Sequence, residues 1–256
     1  MFDVVVDVGN STVQLAVYES DKLINKYSFK SDINKTHDEF YAILKEQNLT
    51  HKIDEDKVDF ILFSSVVPSI NSRLNTALKK AFKNAKLISM RNKLKTSLPM
   101  KVDNPNEVGQ DLIADVVAAK ELYGYPCLIA DLGTASKILL IDKEGFFSSC
   151  VIMPGLVISA EVLFSKGEQL PNVSLDVPKS VIGRNTIDCM NIGIVYGHSE
   201  MIKGLVRKTE EEIGYPCKHI LTGGASYFIK DIMPDFIIDE DLTIKGLKLI
   251  LDKNKR

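Results

Sequence analysis

One pattern occurs twice in this chain and limits what the chain can become. Each copy begins as an apolar run, closes on Asp-x-Gly and resumes as a second strand, the pattern of strand, tight turn, strand. The first copy is Phe2 to Val6, then Asp7-Val8-Gly9-Asn10-Ser11, then Thr12 to Tyr18 with polar and apolar residues alternating. The second is Cys127 to Ala130, then Asp131-Leu132-Gly133-Thr134-Ala135-Ser136, then Lys137 to Ile141. An offset of 124 residues sets Asp7 over Asp131, Gly9 over Gly133 and Thr12 over Ser136. That is the signature of a duplicated unit, and it divides the chain into two similar α/β halves, residues 1–124 and 125–256.

The segments between the turns support the division. In the first half, Thr36 to Gln47 carries apolar residues at helical spacing, with Asp38 and Glu39 in the first turn, where acids favour the helix dipole. Val58 to Phe63 reads as a buried strand closed by Ser64-Ser65, and Pro68 starts a helix through Leu74, Leu78 and Phe82. Asn92 to Asn106 loses periodicity and reads as a loop. Asn106 to Asp111 then leads into an Ala-rich helix that ends near Gly124. The second half holds a Gly/Pro loop at Met153-Pro154-Gly155 and helical stretches at Ser159 to Phe164 and Thr186 to Glu212. A strand at Lys218 to Leu221 opens into Thr222-Gly223-Gly224-Ala225-Ser226, and Asp241 to Leu251 closes the chain as a helix.

Composition narrows the function classes. Apolar residues at 45% and charged residues at 26% set aside disordered, collagen-like and coiled-coil chains. Lys+Arg at 32 against Asp+Glu at 34 leaves a net charge of -2, with no basic surplus for a phosphate backbone, so nucleic acid is not an expected partner. No uncharged apolar run approaches the ~18 residues of a membrane span. The first residues reach Asp3 without a basic start or a long apolar run, so no secretory leader is expected. Cys127, Cys150, Cys189 and Cys217 lack disulfide or zinc spacing and read as reduced core thiols of a cytoplasmic protein. His37, His51, His198 and His219 share no ligand spacing and read as ordinary surface or partly buried histidines. Gly-Tyr-Pro-Cys occurs at Gly124 to Cys127 and at Gly214 to Cys217, as a repeated helix-to-strand connection.

A turn with glycine at its bend lets backbone N–H groups approach an anion closely, and neighbouring hydroxyls add donors. The preceding Asp supplies a carboxylate that can hold hydrated Mg²⁺ beside phosphates. One such turn is more simply structural, because Asp, Gly and Asn are what any hairpin prefers. Two at equivalent places, followed by Thr222-Gly223-Gly224, are far more specific.

In this order the motifs resemble those of the actin, hexokinase and Hsp70 ATPase superfamily. That resemblance implies a duplicated actin-like ATPase (ribonuclease H-like) fold, with two similar domains around a nucleotide cleft. Phosphate motif 1 would be Asp7 to Thr12, phosphate motif 2 Asp131 to Lys137, and the adenosine motif Leu221 to Ser226. Within the superfamily the chain is similar, almost end to end, to the type III pantothenate kinase family. The match includes Ser64-Ser65-Val66-Val67-Pro68, Asn104-Pro105, Val108-Gly109-Gln110-Asp111, Met153-Pro154-Gly155, Leu170-Pro171, Ile182-Gly183 and Asn185-Thr186, besides the three glycine motifs.

The resemblance implies transfer of the ATP γ-phosphoryl group to the primary hydroxyl of pantothenate, the first step of coenzyme A biosynthesis, in a cytoplasmic homodimer. Its main contacts would be the helices that start near Asp111 and Thr186. By residue chemistry alone Asp111 is either a general base or an acid favouring the start of its helix; the resemblance implies the base. Asp7 would serve the Mg²⁺ side, while Gly9, Asn10, Ser11 and Thr12, with Gly133, Thr134, Gly223 and Gly224, would cradle ATP. Asp131 corresponds to a ligand for a monovalent cation, K⁺ or NH₄⁺; Lys137 is either a phosphate-side lysine or a solvent-facing strand residue.

Substrate contacts implied are Val102, Gly109, Gln110, Asp111, Leu112 and Thr186. Two of these depart from the family pattern. An arginine that helps bind pantothenate is replaced by Leu112, and an aromatic of the pantoate pocket by Val102. Leucine offers neither donor nor charge in place of guanidinium. The alternatives are a kinase for another small hydroxyl compound, or a catalytically weak paralogue kept as a nucleotide-binding regulator.

Overall fold

The structure is a computed structural model that describes residues 1–90, 94–167, 171 and 174–255. Asn92 and Leu170, which belong to the aperiodic loop and to one of the matched motifs, lie outside the described residues. In chain order the first half contains β1 (Phe2–Val8), β2 (Thr12–Glu19), β3 (Lys22–Lys30), α1 (His37–Thr50), β4 (Val58–Ser65), α2 (Pro68–Ala81), β5 (Lys86–Ser89) and α3 (Gln110–Tyr123). There follow β6 (Cys127–Leu132), β7 (Ala135–Ile141), β8 (Phe147–Pro154), α4 (Leu156–Lys166), α5 (Thr186–Asn191), α6 (Gly197–Ile213), β9 (Lys218–Thr222), β10 (Ile237–Ile238) and α7 (Leu242–Asn254). A π-helical turn, Ile192–Tyr196, connects α5 to α6.

The strands form two sheets, in the orders β3-β2-β1-β4-β5 and β8-β7-β6-β9-β10. These are one permutation written twice. In each, the first three strands form an antiparallel meander and the fourth joins the first in parallel. The duplication read from two short turns thus extends over both sheets.

By internal packing the described chain divides into two compact units. One comprises Met1–Ser97, Asn104–Ala118 and Thr243–Arg256, and the other Leu98–Asp103 and Ala119–Leu242. The units are therefore not contiguous in sequence, whereas the division drawn from the repeat placed everything after residue 124 in one half. Two contacts hold α7 in the first unit. Gly246 lies so close to Ala114 of α3 that an added Cβ would overlap the Ala114 carbonyl oxygen, and Thr243 Oγ1 donates to buried Asp115 Oδ1 at 2.6 Å.

In the first unit Val4, Val5 and Val6 of β1 are fully buried, and in the second all six residues of β6 are buried. Both strands sit at the centre of a sheet covered on two faces, which is why they read as unbroken apolar runs rather than alternations. The two cores are built around them. Phe40, Phe63, Leu74 and Phe82 fill the first, and Leu128, Leu140, Ile202 and Leu221 the second. α1 starts on a capping box, with Glu39 N donating to Thr36 Oγ1 at 3.3 Å and Thr36 N to Glu39 Oε2 at 2.8 Å. Such a box satisfies two donors that the helix itself leaves unpaired.

Four strands carry no clear sequence signal. β3 is an edge strand with Lys22, Lys26 and Lys30 along it, charges that protect an open edge but erase the apolar alternation. β5 and β10 are short. β8 includes Met153 and Pro154, so the Gly/Pro loop expected there begins only at Gly155. The described part of the aperiodic segment is also more ordered than its sequence suggests. Lys101 N donates to Phe147 O at 2.8 Å and Phe147 N to Pro99 O at 3.0 Å, which attaches residues 98–103 to β8. Both Gly-Tyr-Pro-Cys repeats are helix-to-strand connections, with Gly124 (φ 79°) and Gly214 (φ 77°) in the left-handed region that glycine occupies without strain. Cys127 is buried as a core thiol, and burial raises its pKa to about 12; Cys189, by contrast, is exposed.

Candidate functional site

In the first unit the turn between β1 and β2 is closed by Gly9 N donating to Thr12 O at 3.0 Å. Asn10, Ser11 and Thr12 stand exposed around it. Asp7, next to the turn, is oriented from the neighbouring parallel strand, where Ser64 of β4 donates its hydroxyl to Asp7 Oδ1 at 3.2 Å. The pairing of Asp7 with Ser64 comes from the register of β1 on β4.

The same end of β4 holds the start of α3. Ser65 N donates to Gln110 Oε1 at 3.1 Å, so the Asp7 turn and the first turn of α3 share β4 as a support. Asp111 comes next in that first helical turn. Its carboxylate folds back over Gly109, where an added Cβ would overlap Asp111 Oδ1. Glycine at 109 is therefore a steric requirement for the carboxylate position. Leu112 is buried, 8% exposed, and its Cγ is among the atoms nearest to Gly109. It occupies the arginine position as a packing residue, not as an exposed neutral stand-in.

In the second unit the hairpin between β6 and β7 has the equivalent turn, Gly133 N donating to Ala135 O at 3.3 Å. Thr134 and Gly133 are braced from behind by Gly155, where an added Cβ would overlap Thr134 O and stand 2.5 Å from Gly133 O. Gly223 (φ 88°) comes from the end of β9 against the same hairpin; a Cβ there would lie 2.5 Å from Asp131 Oδ1 and 2.5 Å from Leu132 O. Gly224 opens the 3-10 turn Gly224–Phe228. The hydroxyls of Thr222 and Ser226, on either side of the glycine pair, are buried and have no hydrogen-bond partner among the described residues. Buried polar groups of this kind ordinarily find one, so the residues present fit a polar ligand laid along the glycine pair.

Asp131 and Lys137 form an ion pair, Nζ to Oδ2 at 2.8 Å, with side chains 10% and 17% exposed. Lys137 is thus not the solvent-facing residue that one of its two readings made it. The pair also bears on the cation expected at Asp131. One carboxylate oxygen accepts from an ammonium and the other lies against Gly223, so the positive charge that a separate K⁺ or NH₄⁺ would bring to Asp131 is already supplied by the chain. Mg²⁺ fits at Asp7, a hard oxygen donor beside an exposed turn. Among the described residues no group of three or more His, Cys, Asp or Glu side chains could hold a metal ion by itself.

A cavity of about 550 Å³ opens within the second unit, lined by Pro154, Ser159, Thr186, Met190, Gly193 and His198 among others. Thr186 thus lines a cavity. The π-helical turn contributes Gly193 and the start of α6 contributes Gly197, and neither would meet an atom within 4 Å if it carried a Cβ. Two glycines on an interrupted helix keep this wall open. His198, read from sequence as ordinary, is buried and bonds through Nε2 to Ser136 Oγ at 2.8 Å. Desolvation lowers its pKa. It therefore links the cavity wall to the β6–β7 hairpin.

Within one unit the structure brings together Asp7, Gly9 to Thr12 and Gly109 to Leu112; within the other lie Val102, Asp131, Gly133, Thr134, Thr186, Gly223 and Gly224. Sequence reasoning gave no role to His198, none beyond a loop motif to Gly155, and left the partner of Lys137 open. The last was legible, since Asp131 and Lys137 are equidistant from the hairpin turn at Thr134 and so directly opposite. For His198 no local signal existed, because its partner is 62 residues away.

The repeated sheet order, the Asp-x-Gly hairpin in each unit and the glycine pair after β9 define an actin-like ATPase fold. MreB5 of Spiroplasma citri, solved with ADP, superposes with a TM-score of 0.52 at 11% identity, over 98% of this chain and 96% of that one. A Baf family protein of Campylobacter jejuni superposes with a TM-score of 0.61 at 21% identity, over 98% of each chain. Sequence comparison is narrower. The type III pantothenate kinase family profile matches residues 4–208, and a type III pantothenate kinase of Brevibacillus brevis is 36% identical over 252 residues, 98% of each chain. The chain belongs to the type III pantothenate kinase family.

Proposed function

We propose that this chain transfers the γ-phosphoryl group of ATP to the primary hydroxyl of pantothenate, yielding 4'-phosphopantothenate. The observation that carries the reading is the start of α3, where Asp111 is set by Gly109 and by the Gln110 bond to Ser65 beside the Asp7 turn. A hydroxyl is a weak nucleophile, and a carboxylate within hydrogen-bond reach takes its proton as the bond to phosphorus forms. Asp111 is that base. In the first unit Asp7 would hold Mg²⁺ beside the exposed Asn10, Ser11 and Thr12, and in the second the buried hydroxyls of Thr222 and Ser226 would meet the nucleotide at the adenosine motif. Magnesium supplies charge neutralisation at the phosphates.

The Leu112 position supports one second reading. With Leu112 buried, the position has lost the polar contact of an arginine, about 1.5 to 3 kcal/mol for a hydrogen bond to a charged group. That loss favours a remodelled acceptor site, for pantothenate held by other groups or for another small hydroxyl compound. An ADP-release assay of the purified chain with Mg²⁺ and ATP, comparing pantothenate with polyols, decides between them. Turnover with a polyol and none with pantothenate overturns the proposal; nucleotide binding without turnover of any acceptor assigns a regulator.

A homodimer is part of the proposal. Val157, Val162 and Leu163 on α4 and Val181, Ile182 and Ile187 around the start of α5 are large apolar side chains left exposed, the composition of a surface that a second copy covers. Light scattering that reads one chain overturns it. No helix among the described residues is long and apolar enough to cross a membrane. A cytoplasmic site of action is proposed from the family membership.

A further inference from the structure

The pairing of Asp131 with Lys137 is built into the hairpin. The two residues are directly opposed across the antiparallel ladder of β6 and β7, and opposed side chains share one face of a sheet. Their 2.8 Å separation is that of a charge-assisted hydrogen bond. Both side chains are largely withdrawn from water, at 10% and 17% exposed. A lysine on a strand is ordinarily free to extend into solvent; withdrawing its ammonium is costly unless a counter-charge and good geometry compensate. Here the counter-charge is the Asp of the second Asp-x-Gly turn, and the hairpin continues directly into Gly133 and Thr134, next to the wall formed by Gly223.

We propose that the ammonium of Lys137 is a tethered monovalent cation: a positioning residue that neutralises Asp131 and supplies, from the chain itself, the single positive charge that added K⁺ or NH₄⁺ would bring beside the phosphate hairpin. The inference rests on the reading of this hairpin as a nucleotide phosphate site. An ammonium is chemically the same ion in free and tethered form, so the substitution changes neither charge nor donor type. It does change the dependence on solution conditions, because a side chain fixed across a two-strand ladder is always present whatever the salt.

The test uses the full chain exchanged into a buffer whose only monovalent cation is tetramethylammonium, too large for such a site. Two readouts are taken, the affinity for a fluorescent ADP analogue with Mg²⁺ and the KM for ATP and kcat of ADP release with pantothenate. Expected for the unaltered chain is a change of less than about twofold in either on adding KCl or NH₄Cl. Lys137→Met, which keeps length and removes charge, is expected to lose roughly tenfold in nucleotide affinity, the scale of one charge-assisted contact, with KM for ATP raised more than kcat is lowered. Ammonium is expected to restore this variant to within about threefold, and tetramethylammonium is not. Tenfold or greater stimulation of the unaltered chain by K⁺ or NH₄⁺ overturns the proposal, as does a Lys137→Met variant that matches it without added cation. A folded variant whose loss ammonium does not repair also overturns it, and leaves Lys137 a strut of the hairpin. If Lys137→Met melts early, Lys137→Thr replaces it, and the titration of the unaltered chain decides without any variant. Because the binding readout needs no acceptor, failure of pantothenate to turn over and failure of this proposal are separate results.

Discussion

Replacing Gly246 with alanine reverses the usual sign of a helical Gly→Ala change. In an open helix interior the substitution stabilises by roughly 0.8 to 1 kcal/mol, because glycine loses more backbone freedom on folding. At Gly246 of α7 the new Cβ would overlap the carbonyl oxygen of Ala114 in α3 and stand 2.5 Å from its carbonyl carbon. Both atoms are backbone, so no side chain can rotate away, and carbon contacts relax only near 3.5 to 4.0 Å. The two helices must therefore separate by roughly 1 Å or more, and overpacking of this kind costs about 1 to 3 kcal/mol. An overlap this severe takes the upper end of that range, so after subtracting the helix-propensity gain a net loss of about 2 kcal/mol remains, which at about 2 to 4 °C per kcal/mol lowers Tm by roughly 4 to 8 °C. Gly204 in α6 is the control, since nothing lies within 4 Å of a Cβ there; Gly204→Ala should raise Tm by a few degrees on the same scale. The displaced helix also carries Asp111 less than a turn before Ala114, and a misplacement of about 1 Å at a reacting group can cost on the order of 100-fold. Paired thermal melts and ADP-release rates of the two variants test this. A Gly246→Ala protein that melts at or above the unaltered chain, or that behaves like Gly204→Ala, refutes the close crossing of α3 and α7.

Asp111→Asn keeps the shape of the base and removes its capacity to take a proton, so turnover should fall by about 10²- to 10⁴-fold while ADP affinity stays within about twofold; a variant that turns over within about threefold of the parent removes Asp111 from the mechanism. His198 makes stability pH-dependent in a defined direction. Its folded pKa is lowered by desolvation, so below about pH 6.5 the unfolded chain binds more protons, and stability that is complete above that value is lost as pH falls. Urea midpoints at about pH 7.5 and 5.5 should differ less in His198→Gln, which can still bond to Ser136, than in the parent; equal differences would show that His198 does not titrate on unfolding. At the tail, Lys255 lies 2.8 Å from Asp3 Oδ2 and 2.6 Å from Asp252 Oδ1. Its burial opposes the charge, but hydrogen bonds to Asp252 and Asp3 outweigh that and raise its pKa, so Lys255 is held between two carboxylates. Lys255→Met should lower Tm by more than Lys253→Met; equal effects would mean that the Asp3 contact contributes nothing.

The repeat was written in the chain, and most of its consequences with it. Central strands β1 and β6 are covered on both faces, so burial wrote them as continuous apolar runs, and the glycines at 9, 133 and 223 mark places where backbone had to turn or approach closely. Those are local constraints, and local constraints are legible. The family, the fold and the placement of Asp111 at a helix start were accessible on the same basis. What the sequence did not carry is anything settled by partners distant along the chain. Edge strand β3 looks like polar surface because an edge needs charge more than it needs alternation. His198 is one histidine among four until α6 carries it to Ser136, and Leu112 is a missing arginine on paper but a packed side chain in the fold. The unit boundary shifted for the same reason, since only packing reveals that α7 lies against α3. Lys137 stands between the two cases. Its register opposite Asp131 was written in the hairpin, but whether its ammonium turned to solvent or to that carboxylate was decided by burial, which withdrew the water that would otherwise have solvated both charges.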